Sequence, residues 1–105
     1  MENFDLTVLG GGPAGYNAAA YAASKGLSVV LFEKNELGGV CLNEGCVPSK
    51  TLLNSAKVLN YFKHGENYGV KFSGGGEVSQ EAVVDRKNKV VKRLVTGVRA
   101  KLKGA

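Results

Sequence analysis

The feature that most constrains this chain is a glycine-rich turn, Gly10-Gly11-Gly12-Pro13-Ala14-Gly15, set directly between an apolar run and an alanine-rich segment. Phe4-Asp5-Leu6-Thr7-Val8-Leu9 alternates and then runs apolar, as a strand buried in a parallel sheet does. Tyr16 to Lys25 is rich in alanine, the best helix former, and Gly26 stands where a glycine closes such a helix. Leu27 to Phe32 is a second short apolar run, closed by Glu33. A strand–helix–strand unit of about 30 residues has the size of a right-handed crossover. A G-x-G-x-x-G string alone is weak, but here a strand precedes it, a helix follows, and an acid stands about 20 residues on. Gly10 permits the tight turn, Gly12 lets a pyrophosphate approach the backbone, and Gly15 lets the helix pack closely on the strand, aided by Ala18, Ala19 and Ala22. The helix N-terminus then offers free N–H groups to a diphosphate. Glu33 can accept from ribose hydroxyls and would repel a 2′-phosphate. The bland alternative is a mere strand–helix turn with Glu33 as a surface acid. Spacing alone does not separate NAD from FAD.

Beyond Glu33 the chain reads as a loop over residues 34–45, punctuated by Gly38-Gly39 and Gly45. Pro48 suits a first helical turn and starts a helix predicted to run to about Phe62. His64 to Glu77 is loop-like, with a short strand at Tyr68–Phe72 and a flexible turn at Gly74-Gly75-Gly76. A last helix is predicted from about Gln80 to Leu102. The fold class is therefore α/β, an incomplete Rossmann-like βαβ unit followed by two helices. Two strands do not make a stable parallel sheet. The expectation is part of a larger domain, with open sheet edges that favour swapping or oligomerisation.

Composition bounds the function classes. With 44% hydrophobic and 22% charged residues in 105, the chain is ordinary globular material, which excludes disorder. No apolar run approaches the roughly 18 residues of a membrane span. Residues 1–12 lack the basic and apolar regions of a signal peptide, so a cytoplasmic location is the expectation. The net charge of +5 divides unevenly: residues 1–85 hold six Lys/Arg and nine acids, whereas residues 86–105 hold eight Lys/Arg and no acid. Val83, Val84, Val90, Val91, Leu94, Val95, Val98 and Leu102 recur at helical spacing, with the cations mostly off that stripe. The basic tail reads as the solvated face of an amphipathic helix, without the recognition motif of a nucleic-acid arm.

Both cysteines fall in Cys41-Leu42-Asn43-Glu44-Gly45-Cys46. Four intervening residues can close a small disulfide ring, and Gly45 eases the bend. In a cytosolic protein such a pair is catalytic or metal-binding more often than structural. A zinc site would need two further ligands, and His64 is the only histidine. Two inert, buried thiols are a second alternative. The sharper reading is a redox-active disulfide: Cys46 stands immediately before the helix that Pro48 begins, whose positive end stabilises a thiolate, and Lys50 adds charge four residues on. Glu44 opposes a thiolate if it turns inward, so it is expected to face solvent.

Gly38-Gly39-Val40-Cys41-Leu42-Asn43-Glu44-Gly45-Cys46-Val47-Pro48-Ser49-Lys50 resembles the active-site signature of the flavin-dependent pyridine nucleotide–disulfide oxidoreductases. The glycine turn and Glu33 precede it at that family's usual distance. Within the family, Pro48-Ser49-Lys50 with Thr51-Leu52-Leu53-Asn54, and the helix segment Lys89 to Val98, are similar to the dihydrolipoyl dehydrogenase branch. Glutathione reductases usually carry a second lysine where Ser49 stands, and mercuric reductases usually diverge after Pro-Ser-Lys; both remain readings within the family. The resemblance spans essentially all 105 residues. It implies that FAD is bound, its ADP half by Gly10, Gly12, Pro13, Ala14, Gly15 and Glu33. Lys34, Gly38, Gly39, Val40 and Cys41 would line the cofactor, with Lys50 near the flavin. Cys46 would be the thiolate facing the flavin, in a charge-transfer pair when reduced, and Cys41 the outer thiol that exchanges with substrate.

The activity so implied is oxidation of dihydrolipoamide, presented on a carrier domain of a 2-oxo acid dehydrogenase-type complex, with electrons passing through the disulfide and FAD to NAD in a homodimer. Val40 stands where many members have threonine, which removes any hydroxyl contact there. Family members are several times longer, with NAD-binding and dimer-interface domains that supply a histidine–glutamate acid–base pair. Residues 1–105 would be the N-terminal part of the FAD-binding domain and would not turn over alone. His64 matches no part of that pair and reads as a surface loop residue. A free-standing redox-sensing or dinucleotide-binding module without catalysis is the alternative from another class.

Overall fold

The computed structural model describes residues 1–105, and its order follows the strand–helix–strand pattern. Strands β1 (Leu6–Leu9) and β2 (Val29–Phe32) run parallel, in register from Leu6↔Val29 to Leu9↔Phe32. Helix α1 (Pro13–Ser24) makes the crossover between them. Pro13 takes its first position, where the fixed φ is already helical and the missing N–H costs nothing. At the other end Gly26, with φ of +90°, gives the left-handed residue that terminates the helix. The strand pair is pinned at its start by Asp5 and Ser28: Asp5 Oδ2 accepts from the Ser28 N–H at 2.9 Å and hydroxyl at 2.8 Å, and Ser28 Oγ accepts from the Asp5 N–H at 3.0 Å.

Three further helices follow: α2 (Gly39–Asn43), α3 (Cys46–Lys63) and α4 (Gln80–Gly104). Ser79 caps α4 by accepting from the Ala82 N–H at 3.3 Å, with Glu81 in the first turn and Lys101 and Lys103 in the last, as the helix dipole favours. Val95 and Val98 of the apolar stripe are buried, whereas Leu94 is exposed. α4 packs along α3 and reaches back to α1 and α2.

Several sequence expectations need correction. Ala18 is exposed, and Ala20 joins Ala19 and Ala22 in the buried set, because α4 reaches that side of α1. Residues 34–45 are not all loop: α2 makes one turn there, braced by the Asn43 side-chain amide donating to the Gly39 carbonyl at 3.0 Å. α3 starts at Cys46 rather than Pro48. The Ser49 N–H bonds the Gly45 carbonyl at 3.1 Å, which puts Pro48 in the first turn, where no N–H is needed. No strand forms at Tyr68–Phe72. Gly65–Tyr68 instead makes a 3-10 turn, the Val70 N–H bonds the Gly65 carbonyl at 3.0 Å, and Phe72 folds onto Phe62 with ring centroids 4.8 Å apart.

The shape is long, 67 × 25 × 17 Å, with a radius of gyration of 19.8 Å. A compact domain of this length would have about 13 Å. Nine of 105 residues are buried, and no large side chain is fully enclosed. Each strand has only one neighbour, and Leu9 and Phe32 at the strand ends are 82% and 58% exposed. No helix is long and apolar enough to cross a membrane. Open edges next to exposed apolar side chains promote strand pairing between molecules. Sedimentation velocity should therefore show association that grows with concentration, and Leu9→Lys should shift it toward monomer. A single monomeric species across the whole range would contradict this.

Candidate functional site

The site begins at the glycine turn. Gly10, with φ of +101°, breaks the line of β1 while its N–H still donates to the Phe32 carbonyl at 2.8 Å. A Cβ on Gly15 would strike the Gly10 carbonyl oxygen, so α1 starts flush against the turn only because residue 15 has no side chain. The N-cap, Gly12, offers no side chain to occupy the first N–H groups of α1. Ala14 and Gly15 lie ahead of the first bond of the helix, Tyr16 N–H to the Gly12 carbonyl at 2.9 Å. Their N–H groups remain available to an anion, on the positive end of the helix dipole.

Glu33, expected to face ribose hydroxyls, turns its carboxylate into this turn. Its Oε2 accepts from the Gly11 N–H at 2.6 Å and its Oε1 from the Asn35 N–H at 3.1 Å. The Gly11 bond first, then the Asn35 bond, holds the Glu33 carboxyl below the usual range. Each oxygen keeps a second lone pair, so a hydroxyl can still be accepted. Leu9, Gly10, Phe32, Glu33 and Lys34 border a cleft of about 560 Å³ at the C-terminal ends of the strands, where open α/β sheets bind ligands.

The cysteine segment sits directly on this turn. The Gly38 N–H donates to the Gly11 carbonyl at 2.8 Å. Gly39, with φ of +78°, lies so near Gly12 that a Cβ on it would come within 3.0 Å of the Gly12 Cα and 3.2 Å of the Pro13 Cδ. Cys41 in α2 and Cys46 at the first position of α3 form a disulfide, their Cα atoms 4.7 Å apart. Both cysteines are exposed, as are Glu44, Lys34 and Lys50. Val40 is 72% exposed beside Cys41. The N-terminus of α3 carries no side-chain cap, leaving its positive end to act on the Cys46 sulfur. His64 is exposed at the end of α3, as a surface loop residue.

The structure thus joins the glycine turn, Glu33 and the disulfide into one continuous site. Sequence reasoning missed the braces. Asn43, inside the disulfide ring, donates to the Leu37 carbonyl at 3.1 Å as well as to Gly39. Arg99 pairs with Glu36 at 3.1 Å, and Arg86 reaches the Thr51 carbonyl at 3.4 Å. Only Asn43, four residues after Gly39, had a local signal; the arginines act across the fold.

The sequence matches the family described as pyridine nucleotide-disulphide oxidoreductase over residues 4–104. The chain belongs to that family. It is 45% identical over 103 residues to a dihydrolipoyl dehydrogenase of Mycoplasma genitalium, covering 98% of this chain and 22% of that protein. A dihydrolipoyl dehydrogenase of Bacillus subtilis is 48% identical over 99 residues, covering 93% of this chain and 22% of the relative. Among solved structures, the copper(II) complex of the HOCl-induced flavoprotein disulfide reductase RclA from Escherichia coli superposes with a TM-score of 0.75 at 27% identity, over 96% of this chain and 19% of that one. The chain spans about a fifth of the length of these relatives.

As a member of this oxidoreductase family, the chain has residues that fit the ADP half of a dinucleotide: a flush glycine turn, an uncapped helix start and a carboxylate at the end of β2. The Glu33–Gly11 bond also makes the turn sensitive to acid. A carboxyl whose value is depressed on folding contributes order that is present above its unfolded value, about 4.3, and is lost as pH falls through the lower folded value. Exchange of the Gly11 amide, corrected for its intrinsic pH dependence, should accelerate as pH falls below the ordinary carboxyl range. In Glu33→Ala, which removes the acceptor, it should be fast already at neutral pH and show no carboxyl-linked change with acid. Equal protection in the two proteins would show that Glu33 does not hold the turn.

Proposed function

We propose that this chain is the FAD- and disulfide-bearing N-terminal part of a dihydrolipoyl dehydrogenase-type enzyme, which oxidises dihydrolipoamide and passes the electrons to NAD. The observation that carries this reading is the seating of the Cys41–Cys46 disulfide on the nucleotide turn, through the Gly38–Gly11 hydrogen bond and the Gly39–Gly12 contact. One rigid unit then holds the dithiol chemistry against the cofactor cleft.

In this reading Gly10, Gly12, Pro13, Ala14 and Gly15 hold the ADP half, and Glu33 orients the ribose. Lys34, Gly38, Gly39, Val40 and Lys50 border the rest of the cofactor. When bound, FAD supplies a two-electron acceptor beside the disulfide. The remaining chemistry belongs to the cysteines. A substrate thiolate attacks the Cys41 sulfur, a mixed disulfide forms, and Cys46 leaves as a thiolate stabilised by the α3 N-terminus. The second substrate thiol, deprotonated, attacks the mixed disulfide on its own sulfur, closes the lipoamide ring and releases Cys41 as a thiolate. Two electrons have then moved from dithiol to protein. The acid–base pair, the NAD site and the homodimer contacts belong to further domains of such an enzyme, and the substrate arrives on the carrier domain of a 2-oxo acid dehydrogenase-type complex. A cytoplasmic setting suits a pair that cycles between thiol and disulfide.

Incubation with FAD followed by desalting tests the cofactor reading. The chain should retain a visible flavin spectrum, and Gly15→Ala, which forces a side chain into the Gly10 carbonyl, should abolish retention. A colourless wild-type chain would mean that the nucleotide turn and Glu33 do not suffice as a half-site. Steady-state oxidation of dihydrolipoamide by NAD should stay at background for the 11.0 kDa chain. Robust turnover by a preparation confirmed intact would overturn its assignment as a part of the enzyme.

A further inference from the structure

We propose that Glu44 sets the charge preference of the Cys41–Cys46 disulfide, favouring neutral and cationic thiols over anionic ones. This role rests on the disulfide chemistry proposed above. Glu44 lies inside the ring that the disulfide closes, two residues before Cys46. Backbone geometry alone keeps its Cα within about 7 Å of the Cys46 Cα. The Cys41 Cα is only 4.7 Å further across the disulfide. Glu44 is thus tethered inside the ring on the length scale of the Debye length at ordinary salt, about 10 Å at 0.1 M.

Glu44 is also uncommitted. Its N–H is held by the Val40 carbonyl at 2.8 Å, which fixes the backbone, but its carboxylate makes no hydrogen bond and no ion pair. The one ion pair of the fold, Arg99–Glu36, involves a different acid. Glu44, Cys41 and Cys46 are all exposed, so an incoming thiol must approach through solvent that the Glu44 charge pervades. The opposing charges, Lys50 one turn along α3 from Cys46 and the α3 N-terminus, offset part of the Glu44 charge felt by a reagent and are the same in Glu44→Gln, so the variant isolates the Glu44 share. At roughly 8 Å in a water-like dielectric, one unit charge changes the encounter by about twofold per unit charge on the reagent. An amide-linked dithiol, which carries no charge at its linkage, escapes the penalty that a carboxylate-bearing thiol incurs.

The test uses the whole chain and three probes: cysteamine (cationic), 2-mercaptoethanol (neutral) and 3-mercaptopropionate (anionic). Each thiolate attacks the disulfide to form a mixed disulfide and a protein thiolate, and a second equivalent releases the reagent disulfide. Rates of reduction, followed by alkylation quench and mass spectrometry at low ionic strength, are expressed per reagent thiolate. The cationic-to-anionic ratio should fall about fourfold in Glu44→Gln. The difference between the two chains should shrink in 1 M salt, where the Debye length is about 3 Å; equal rates with neutral 2-mercaptoethanol in both chains show that the variant keeps its disulfide geometry. If all three reagents reduce the disulfide yet the ratio is the same in both chains, the specificity role is overturned while the disulfide chemistry stands. If no reagent reduces it, the disulfide chemistry fails, and the role of Glu44 with it.

Discussion

The glycine turn, the end of β2 and the head of the cysteine segment meet at Gly11, and the site depends on that junction. The Gly11 N–H donates to Glu33 at the end of β2, and its carbonyl accepts from Gly38 at the head of the cysteine segment. The residue is buried, and a Cβ added to it would come within 2.6 Å of a Leu37 methyl and 3.1 Å of the Glu33 carboxylate. One residue, through its two flanking peptides, thereby fixes the glycine turn relative to both the acid and the disulfide segment. The bond to Glu33 is charge-assisted and short, the stronger class of hydrogen bond. Its geometry also explains why the acid ends β2. From there a carboxylate reaches the Gly11 N–H while the N-terminus of α1 stays free of any side-chain cap.

This junction matters the more because the chain has little core. With nine residues buried, hydrophobic burial cannot be what orders the functional segments. Order comes instead from backbone contacts that exclude side chains. Gly15 lies on the Gly10 carbonyl, Gly39 lies on Gly12, and Gly38 bonds Gly11. Such contacts tolerate little change: a methyl group on Gly15 would strike the Gly10 carbonyl, one on Gly39 would press on Gly12, and one on Gly38 would meet the Leu42 side chain, the last two at positive φ as well. The exposed ion pair between Arg99 and Glu36, with side chains 57% and 62% exposed, is worth at most about 1 kcal/mol and steers the loop only weakly.

What could be read in the sequence divides along the same line. The βαβ unit was legible because strand period, alanine content and glycine placement all point one way over 30 residues, and α4 because its valine stripe holds helical spacing from Val83 to Leu102. The start of α3 was misplaced by two residues because Pro48 marks a first turn without saying which position of that turn it fills. The turn α2 and the absence of a strand at Tyr68–Phe72 were not legible, since both are settled by tertiary partners. Asn43 bridges two carbonyls, and Phe72 finds Phe62 rather than a neighbouring strand. At the site, the bond from the Gly11 N–H to Glu33 was not legible, because an acid at the end of a strand carries the same sequence signal whether or not it also accepts from a backbone amide.

The charged tail shows how such a reading is refined rather than replaced. Most of its cations do lie in solvent, as an amphipathic face requires, but three turn toward the fold. Arg86 reaches the Thr51 carbonyl in α3, and Arg99 meets Glu36 in the loop before Gly38. Lys101 bonds Asn17 in the second turn of α1 and stands 5.5 Å from the Tyr16 ring centroid, within cation–π range. Arg86 stands more than three helical turns before Arg99, and Lys101 follows half a turn later, so one helix touches the disulfide-bearing helix, the loop before Gly38 and the crossover helix together. A rod about 37 Å long, at 1.5 Å per residue, can splint elements that share no core. The acid-free sequence of the tail is consistent with that role, because each inward cation meets a carbonyl, a carboxylate or an aromatic face supplied by the rest of the chain.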